Sequence, residues 1–252
     1  MGATGALLFV DMLGVKARWV RLGKKGAEAA FAKVRELVLA LIRKSPRAAP
    51  SRGCLEADAV ALVFDSAEKA FGFAGELFLD AFFGSKDDDD ERIWLRGAIL
   101  SLDDNCPLRS DAVLDRGIGN NSIRTYGCSD RLLEAIQVEK SGFKGMRVVV
   151  EKALLTKEVR SAFRKTVAGR QLYLFRSLDY TPLPGRIAGD YEDYLWMASD
   201  PARWENARLM MSHRLRWCSP EMGEEFTHAA MTQVVFNECA AILSPRDRQR
   251  RG

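Results

Sequence analysis

Histidine is nearly absent: the 252 residues contain two, His213 and His228, both far along the chain. The five cysteines, Cys54, Cys106, Cys128, Cys218 and Cys239, are scattered, odd in number and without CxxC spacing. These scarcities argue against a zinc site and a disulfide framework, and they fit free thiols in a reducing cytoplasm. No stretch approaches 18 consecutive apolar residues, so no membrane span is expected. The apolar run near the N-terminus lacks a preceding basic segment and a small-residue cleavage pattern, so no signal peptide is expected. A GxxxxGKS or GxxxxGKT phosphate loop is missing too. Charge of one sign is not in excess: 38 basic residues against 34 acidic give +4. That balance does not argue for nucleic acid, but it suits a small anionic ligand. Any metal should then be a hard cation held by carboxylates.

What is present is a sequence that can build a core, 47% hydrophobic and 29% charged. Residues Ala6 to Val10 form an apolar run of strand length that ends on Asp11 and leads through Gly14. A helical stripe over Lys25 to Lys44 carries Ala29, Phe31, Val34, Leu37, Val38, Leu41 and Ile42 on one face. After the breaker-rich SPRAAPSRG, the stretch CLEADAVALVFDS predicts a hairpin turning at Glu56-Ala57-Asp58. Asp65 followed by Glu68 predicts a capped helix to about Phe83. RIWLRGAILS predicts a strand, Ser129 to Lys140 a helix stopped by Gly142, and GMRVVV a strand. Glu151 to Lys165 is expected as a helix and QLYLFRSL as the last strand. From Ile187 onward no strand pattern remains, and two or three helices are expected before the solvated RDRQRR end.

This order, strand-helix alternation around a hairpin and then helices, implies an α+β ferredoxin-like sheet with helices on one face. The division expected is residues 1–180 as one catalytic-type domain and 181–252 as a C-terminal helical extension.

A charge at the end of a buried strand costs several kcal/mol unless something pairs with it. Asp11 ends the first strand, and Asp58 sits at the hairpin turn that such a sheet places beside it. Two carboxylates at neighbouring strand ends can share one or two Mg²⁺ or Mn²⁺ ions. The plainer alternative is that Asp11 caps the following helix and Asp58 is a turn residue. Other candidates are weaker. Asp87 to Asp90 lacks the spaced ligands and glycine of a calcium loop, and Gly117-Ile-Gly119 lacks a strand-turn-helix setting.

FVDMLG resembles the first metal motif of class III nucleotidyl cyclases, and EADAVALVF resembles their second. IWLRGAIL is similar to the strand that follows the next helix in that family. With YGCSDRLLEAIQVE, these motifs look closest to the pyrimidine cyclase of bacterial Pycsar anti-phage defence. The resemblance covers about Leu7 to Leu178 and matches nothing in the C-terminal helices.

The resemblance implies metal ligation by Asp11, Asp58 and the Met12 carbonyl, with two Mn²⁺ or Mg²⁺ ions per site. It implies that N–H groups from Leu13 through Gly14 to Val15 face the triphosphate at a helix start. The reaction implied is attack of the ribose 3′-oxygen on the α-phosphorus, giving a cyclic nucleotide and pyrophosphate. Purine-specific relatives carry a lysine where Cys54 stands and an aspartate where Arg124 stands, before Gly127. Their purine reader is therefore absent, which fits a pyrimidine base. Arg52, Cys54 and Glu56 alternate along one strand and are candidate base or ribose contacts; a cross-strand ion pair is the alternative for Arg52 and Glu56. The family's helical Asn and Arg are replaced by Arg131 and Ala135. Arg131 or Arg170 could bring the catalytic cation; the alternative for each is a solvated arginine.

Two functions are thus expected. One is a homodimeric uridylate cyclase with shared active sites, UTP ahead of CTP, whose cyclic product is read by a separate effector. A two-fold partner would cover the helix-free face of the sheet. The other is a non-catalytic cyclase-fold domain that binds nucleotide without turnover.

Overall fold

The run that begins at Ala6 forms the middle of a sheet. The computed structural model describes residues 5–56, 58–84, 92–102, 130–140, 144–167, 170–177, 190–218 and 220–243. Strand β1 (Gly5–Met12) lies between β3 (Ala59–Phe64) and β4 (Leu95–Leu102), antiparallel to both. Buried on both faces from Gly5 to Val10, β1 carries apolar residues at successive positions, which is why its pattern does not alternate. β2 (Arg52–Glu56) pairs with β3 as the expected hairpin. The order β2-β3-β1-β4 is the ferredoxin-like arrangement read from the sequence, and it continues through β5 (Val148–Glu151), parallel to β4.

Two helices cover one face. α1 (Val15–Lys44) and α2 (Ala67–Gly84) place Val34, Val38, Phe71, Phe78 and Phe82 against Leu8 and Val10. α1 starts ten residues before the expected Lys25, because Gly23 at φ 68° and ψ −171° breaks it and its first turns are largely exposed and basic. Asp65 is not the cap of α2. The Lys69 N–H donates to Ser66 Oγ at 3.3 Å, and Asp65 instead pairs with Lys69 Nζ at 2.8 Å.

The exception to one-sided layering is α3 (Asp130–Lys140). Its Ala135 and Val138 pack on the opposite face, against Leu7, Phe9, Ala98 and Leu100. Leu7 is 0% exposed and Phe9 6%, so this part of the face is already covered within the chain.

The later chain departs most from expectation. The helix after β5 is short, α4 (Lys157–Ala162), with Thr156 Oγ1 accepting from the Val159 N–H. RKTV then forms β6 (Arg164–Val167), whose hairpin partner is β7 (Arg170–Tyr173). QLYLFRSL is thus not one strand; it breaks at Leu174, and β8 (Phe175–Ser177) returns to the main sheet. β8 pairs with β9 (Tyr191–Tyr194), which also pairs with β5. A strand therefore does lie beyond Ile187. YEDY reads as polar, yet all four residues are buried, with Glu192 gripped by Arg160 at 2.9 and 2.8 Å. Asp193 lies 3.7 Å from Arg147 and 3.5 Å from Arg176.

Two helices follow, as expected: α5 (Pro201–Trp217) and α6 (Glu224–Leu243). They pack into the core that α1 and α2 form on the sheet, where Trp204 stacks on Phe236 at 5.7 Å and Phe236 meets Phe82 at 5.5 Å. No helix among the described residues is long and apolar enough to cross a membrane.

Candidate metal and nucleotide site

β1 stops at Met12, and one hydrogen bond decides what stands beside its end. The Met12 N–H donates to the Asp58 carbonyl at 2.9 Å, tying the hairpin turn to the strand that carries Asp11. The register sets Asp11 opposite Ala59 on one side and Arg96 on the other. Both aspartates are half-buried. The structure thus brings Asp11, Met12 and Asp58 together, as the sequence implied.

Directly opposite residues in an antiparallel pair point to the same face. Arg96, 9% exposed, therefore shares the Asp11 face. Sequence reasoning missed it; the signal was an arginine inside the apolar strand WLRGAIL.

Gly14 makes the turn out of β1. Its φ of 74° and ψ of 13° lie in the left-handed region, which glycine enters without steric cost, and α1 begins at Val15. The Gly14 carbonyl accepts the first helical bond, from the Arg18 N–H at 2.9 Å. The expectation for Leu13 needs correction. Its N–H donates to the Trp94 carbonyl at 2.8 Å and is committed to the sheet. Gly14 and Val15 remain at the helix start, where N–H groups lack intrahelical acceptors and favour an anion.

Two buried arginines brace this turn. Arg18 in the first turns of α1 is 2% exposed and donates through Nη2 to the Arg92 carbonyl. Arg92, 3% exposed, donates through Nη1 to Cys218 Sγ at 3.1 Å. A cavity of about 310 Å³ adjoins Asp58 and Met12 on the α1 side, with Phe31, Glu28 and Arg35 among its walls. Asp11 is not part of that wall, so the cavity does not join the two carboxylates.

The donor set suits a hard cation. Two carboxylates and a backbone carbonyl leave coordination positions for water and phosphate oxygens, the usual circumstance of Mg²⁺ or Mn²⁺. Among the described residues no three His, Cys, Asp or Glu side chains cluster as a closed metal cage.

The other candidates lie further away. The backbone register sets Arg52, Cys54 and Glu56 opposite Val63, Ala61 and Ala59, and of these Arg52 and Cys54 share one face of β2, as expected. Arg52 is exposed, whereas Cys54 is buried with Leu7, Phe9 and Ala61 on the face that α3 covers. Glu56 and Arg170 are placed by their backbone, Arg170 opening β7.

Arg131 is held by partners of its own chain and stands away from Asp11. It donates to Glu134 at 2.7 Å and to Ser101 Oγ at 2.9 Å, and lies 3.4 Å from Glu151. Ser101 pairs with Ala6, five residues from Asp11 and so about 17 Å along the strand. Tyr191 joins this cluster by donating to Glu134 at 2.8 Å, and burial together with Glu134 raises its pKa. The positions of Arg124, Gly127, Asp87 to Asp90, Gly117, Gly119, Gly142, Cys106, Cys128 and the RDRQRR end lie outside the described residues.

No family model matches the chain, and no curated protein does. Solved structures do. The guanylyl cyclase domain of the RhoGC fusion protein from the aquatic fungus Blastocladiella emersonii superposes with a TM-score of 0.50 at 14% identity. That match covers 75% of this chain and 92% of the other. An adenylate cyclase from Trypanosoma brucei gives a TM-score of 0.48 at 18% identity, covering 75% and 86%.

Proposed function

From a sheet that has the class III nucleotidyl cyclase fold, we propose that this chain is a metal-dependent nucleotidyl cyclase acting on a pyrimidine triphosphate. UTP is the favoured substrate, ahead of CTP, and the products are cyclic UMP and pyrophosphate. The observation that carries this reading is the 2.9 Å bond from the Met12 N–H to the Asp58 carbonyl, because it ties the backbones that carry the two aspartates together beside a helix start.

Asp11, Asp58 and the Met12 carbonyl would hold the divalent ions. When bound, such ions lower the energy of the attacking oxygen and neutralise charge on the leaving group. The chain's own groups orient the substrate: the N–H groups at Gly14 and Val15 take the triphosphate, with the dipole of α1 behind them. The ribose 3′-oxygen forms a bond to the α-phosphorus, the bond from that phosphorus to the bridging oxygen breaks, and the 3′-hydroxyl proton passes to solvent. Cys54 at the position of the purine-reading lysine supports a pyrimidine base.

Within one chain Arg131 stands about a strand length from Asp11. A homodimer in which a second copy supplies the cation, from Arg131 or Arg170, would complete the site. The product would serve as a cytoplasmic second messenger, read by a separate effector in anti-phage defence. A second reading, nucleotide binding without turnover, is favoured by one observation: Arg131 is already engaged by Glu134 and Glu151 of its own chain. Incubation with each of the four nucleoside triphosphates and Mn²⁺, read by mass spectrometry, separates the two. The cyclase reading expects cyclic UMP in excess of any other cyclic product; nucleotide bound but returned intact supports the second.

A further inference from the structure

The C-terminal helices reach the sheet at the end that carries the aspartates, and they do so at two separate points. The first is Cys218, just after α5. Its Sγ accepts from Arg92, whose carbonyl accepts from Arg18; two residues on, the Trp94 carbonyl holds the Leu13 N–H at 2.8 Å. Contact therefore runs from Cys218 to both sides of the Gly14 turn. The second point is α6. Thr232 Oγ1 accepts from the Met146 N–H at 2.8 Å and donates to the His228 carbonyl at 2.7 Å. His228 Nδ1 accepts from the Gly145 N–H at 3.4 Å.

This seating is close enough to dictate a residue. Gly145 has φ of 82°, and a Cβ there would stand 2.6 Å from the Thr232 nitrogen and 2.9 Å from the Met231 carbonyl carbon. Two residues on, the Arg147 carbonyl accepts from the Gly97 N–H at 2.8 Å, and Gly97 adjoins Arg96, the residue opposite Asp11. One anchor thus fixes the approach to β4, and the other fixes the approach to β5. Each is buried, and each uses a polar group that would lose its partner if the helices moved.

We propose that the C-terminal helix pair is a positioning element for the Asp11–Gly14 segment, acting through Cys218 on Arg92 and through Thr232 on Met146. What that segment does rests on the cyclase reading above; the mechanical coupling does not. Cys218 and Thr232 touch no substrate and act through Arg92, Leu13 and the two strands. Rigid placement matters at such a site because ligand geometry must hold to a fraction of an ångström.

The test is amide hydrogen exchange in the full chain, read by mass spectrometry on peptides spanning Val10 to Val15. Two variants, Cys218→Ala and Thr232→Val, each remove one anchor with little change in volume. The control is Arg203→Met, which releases a different contact of the same helix pair, the 3.0 Å bridge to Asp80 beside Phe83. Exchange at Met12 and Leu13 should rise about tenfold in both anchor variants and stay unchanged in the control. Where UTP is turned over, kcat should fall in the anchor variants with KM within about a factor of two. Unchanged exchange at Val10 to Val15 would overturn the proposal, and so would an equal rise in all three variants. If the wild-type chain forms no cyclic nucleotide, the cyclase reading fails while the exchange measurement still decides the coupling.

Discussion

Arg131 and Glu151 stand 3.4 Å apart, linking α3 to β5 across the sheet face opposite the long helices. With Glu134 at 2.7 Å and Ser101 at 2.9 Å, this guanidinium has three partners inside its own chain. Any role in a neighbouring chain's site requires those bonds to be exchanged for bonds to phosphate. The ion pair is partly exposed, 22% at Arg131 and 15% at Glu151, so it contributes about 1 kcal/mol and can be exchanged.

The shared-site reading predicts complementation. Asp11→Ala and Arg131→Ala chains should each be inactive alone, and subunit exchange should restore activity through one intact site per mixed dimer. If Arg131→Ala is inactive and the mixture makes no product, Arg131 does not act across an interface. If Arg131→Ala retains full activity, its role is to hold α3, and Arg170 becomes the cation to test in the same way.

A pH dependence of stability follows from His228. It is 5% exposed, and burial first, then the charges of Arg96 and Lys144, push its pKa down from 6.5 to about 4. The folded chain therefore holds this imidazole neutral, whereas the unfolded chain protonates it near pH 6.5. Stability from this group is fully present above pH 6.5 and is lost as pH falls toward 4, by about 3 kcal/mol at full titration. Chemical denaturation at pH 7, 5.5 and 4.5 should show that loss, and His228→Asn should flatten the profile between 6.5 and 4. An unchanged profile in the variant would remove His228 as its source.

Base choice is the third expectation. Arg52, Cys54 and Glu56 stand at alternate positions of β2, in register with Val63, Ala61 and Ala59. Substituting them should change the ratio of UTP to CTP turnover while leaving the metal requirement as it was. A constant ratio across all three variants would place base recognition elsewhere. Cys54 is the least tolerant position: it is buried at 6% with Leu7, Phe9 and Ala61 around it, so Cys54→Lys risks the core. Cys54→Ala is the informative change.

The parts of this protein that could be read from its sequence are those where neighbouring residues share one environment. β1 is apolar from Gly5 to Val10 because both faces are covered, and Asp11 stood out because nothing else in that run is charged. The hairpin announced itself through two apolar arms around Asp58. β9 could not be seen in this way. Its acidic residues are buried by partners 32 residues back, in the case of Arg160, and at Arg147 and Arg176 for Asp193. The same holds for Arg18 and Arg92: charged residues read as solvated until a tertiary contact takes them inside. The orientation of the Leu13 N–H is tertiary too, since Trp94 supplies its acceptor. Arg131 was legible as a candidate cation, whereas its own carboxylate partners depend on how α3 lies across β4 and β5.

The most direct test of the central claim is the initial rate of cyclic UMP formation from UTP and Mn²⁺ by the wild-type chain, Asp11→Ala and Asp58→Ala, measured by mass spectrometry. The account predicts product from the wild type and a loss of about a hundredfold or more in each variant, with all three folded by circular dichroism. Formation of cyclic UMP by Asp11→Ala at the wild-type rate, or its absence from the wild-type reaction, would contradict it.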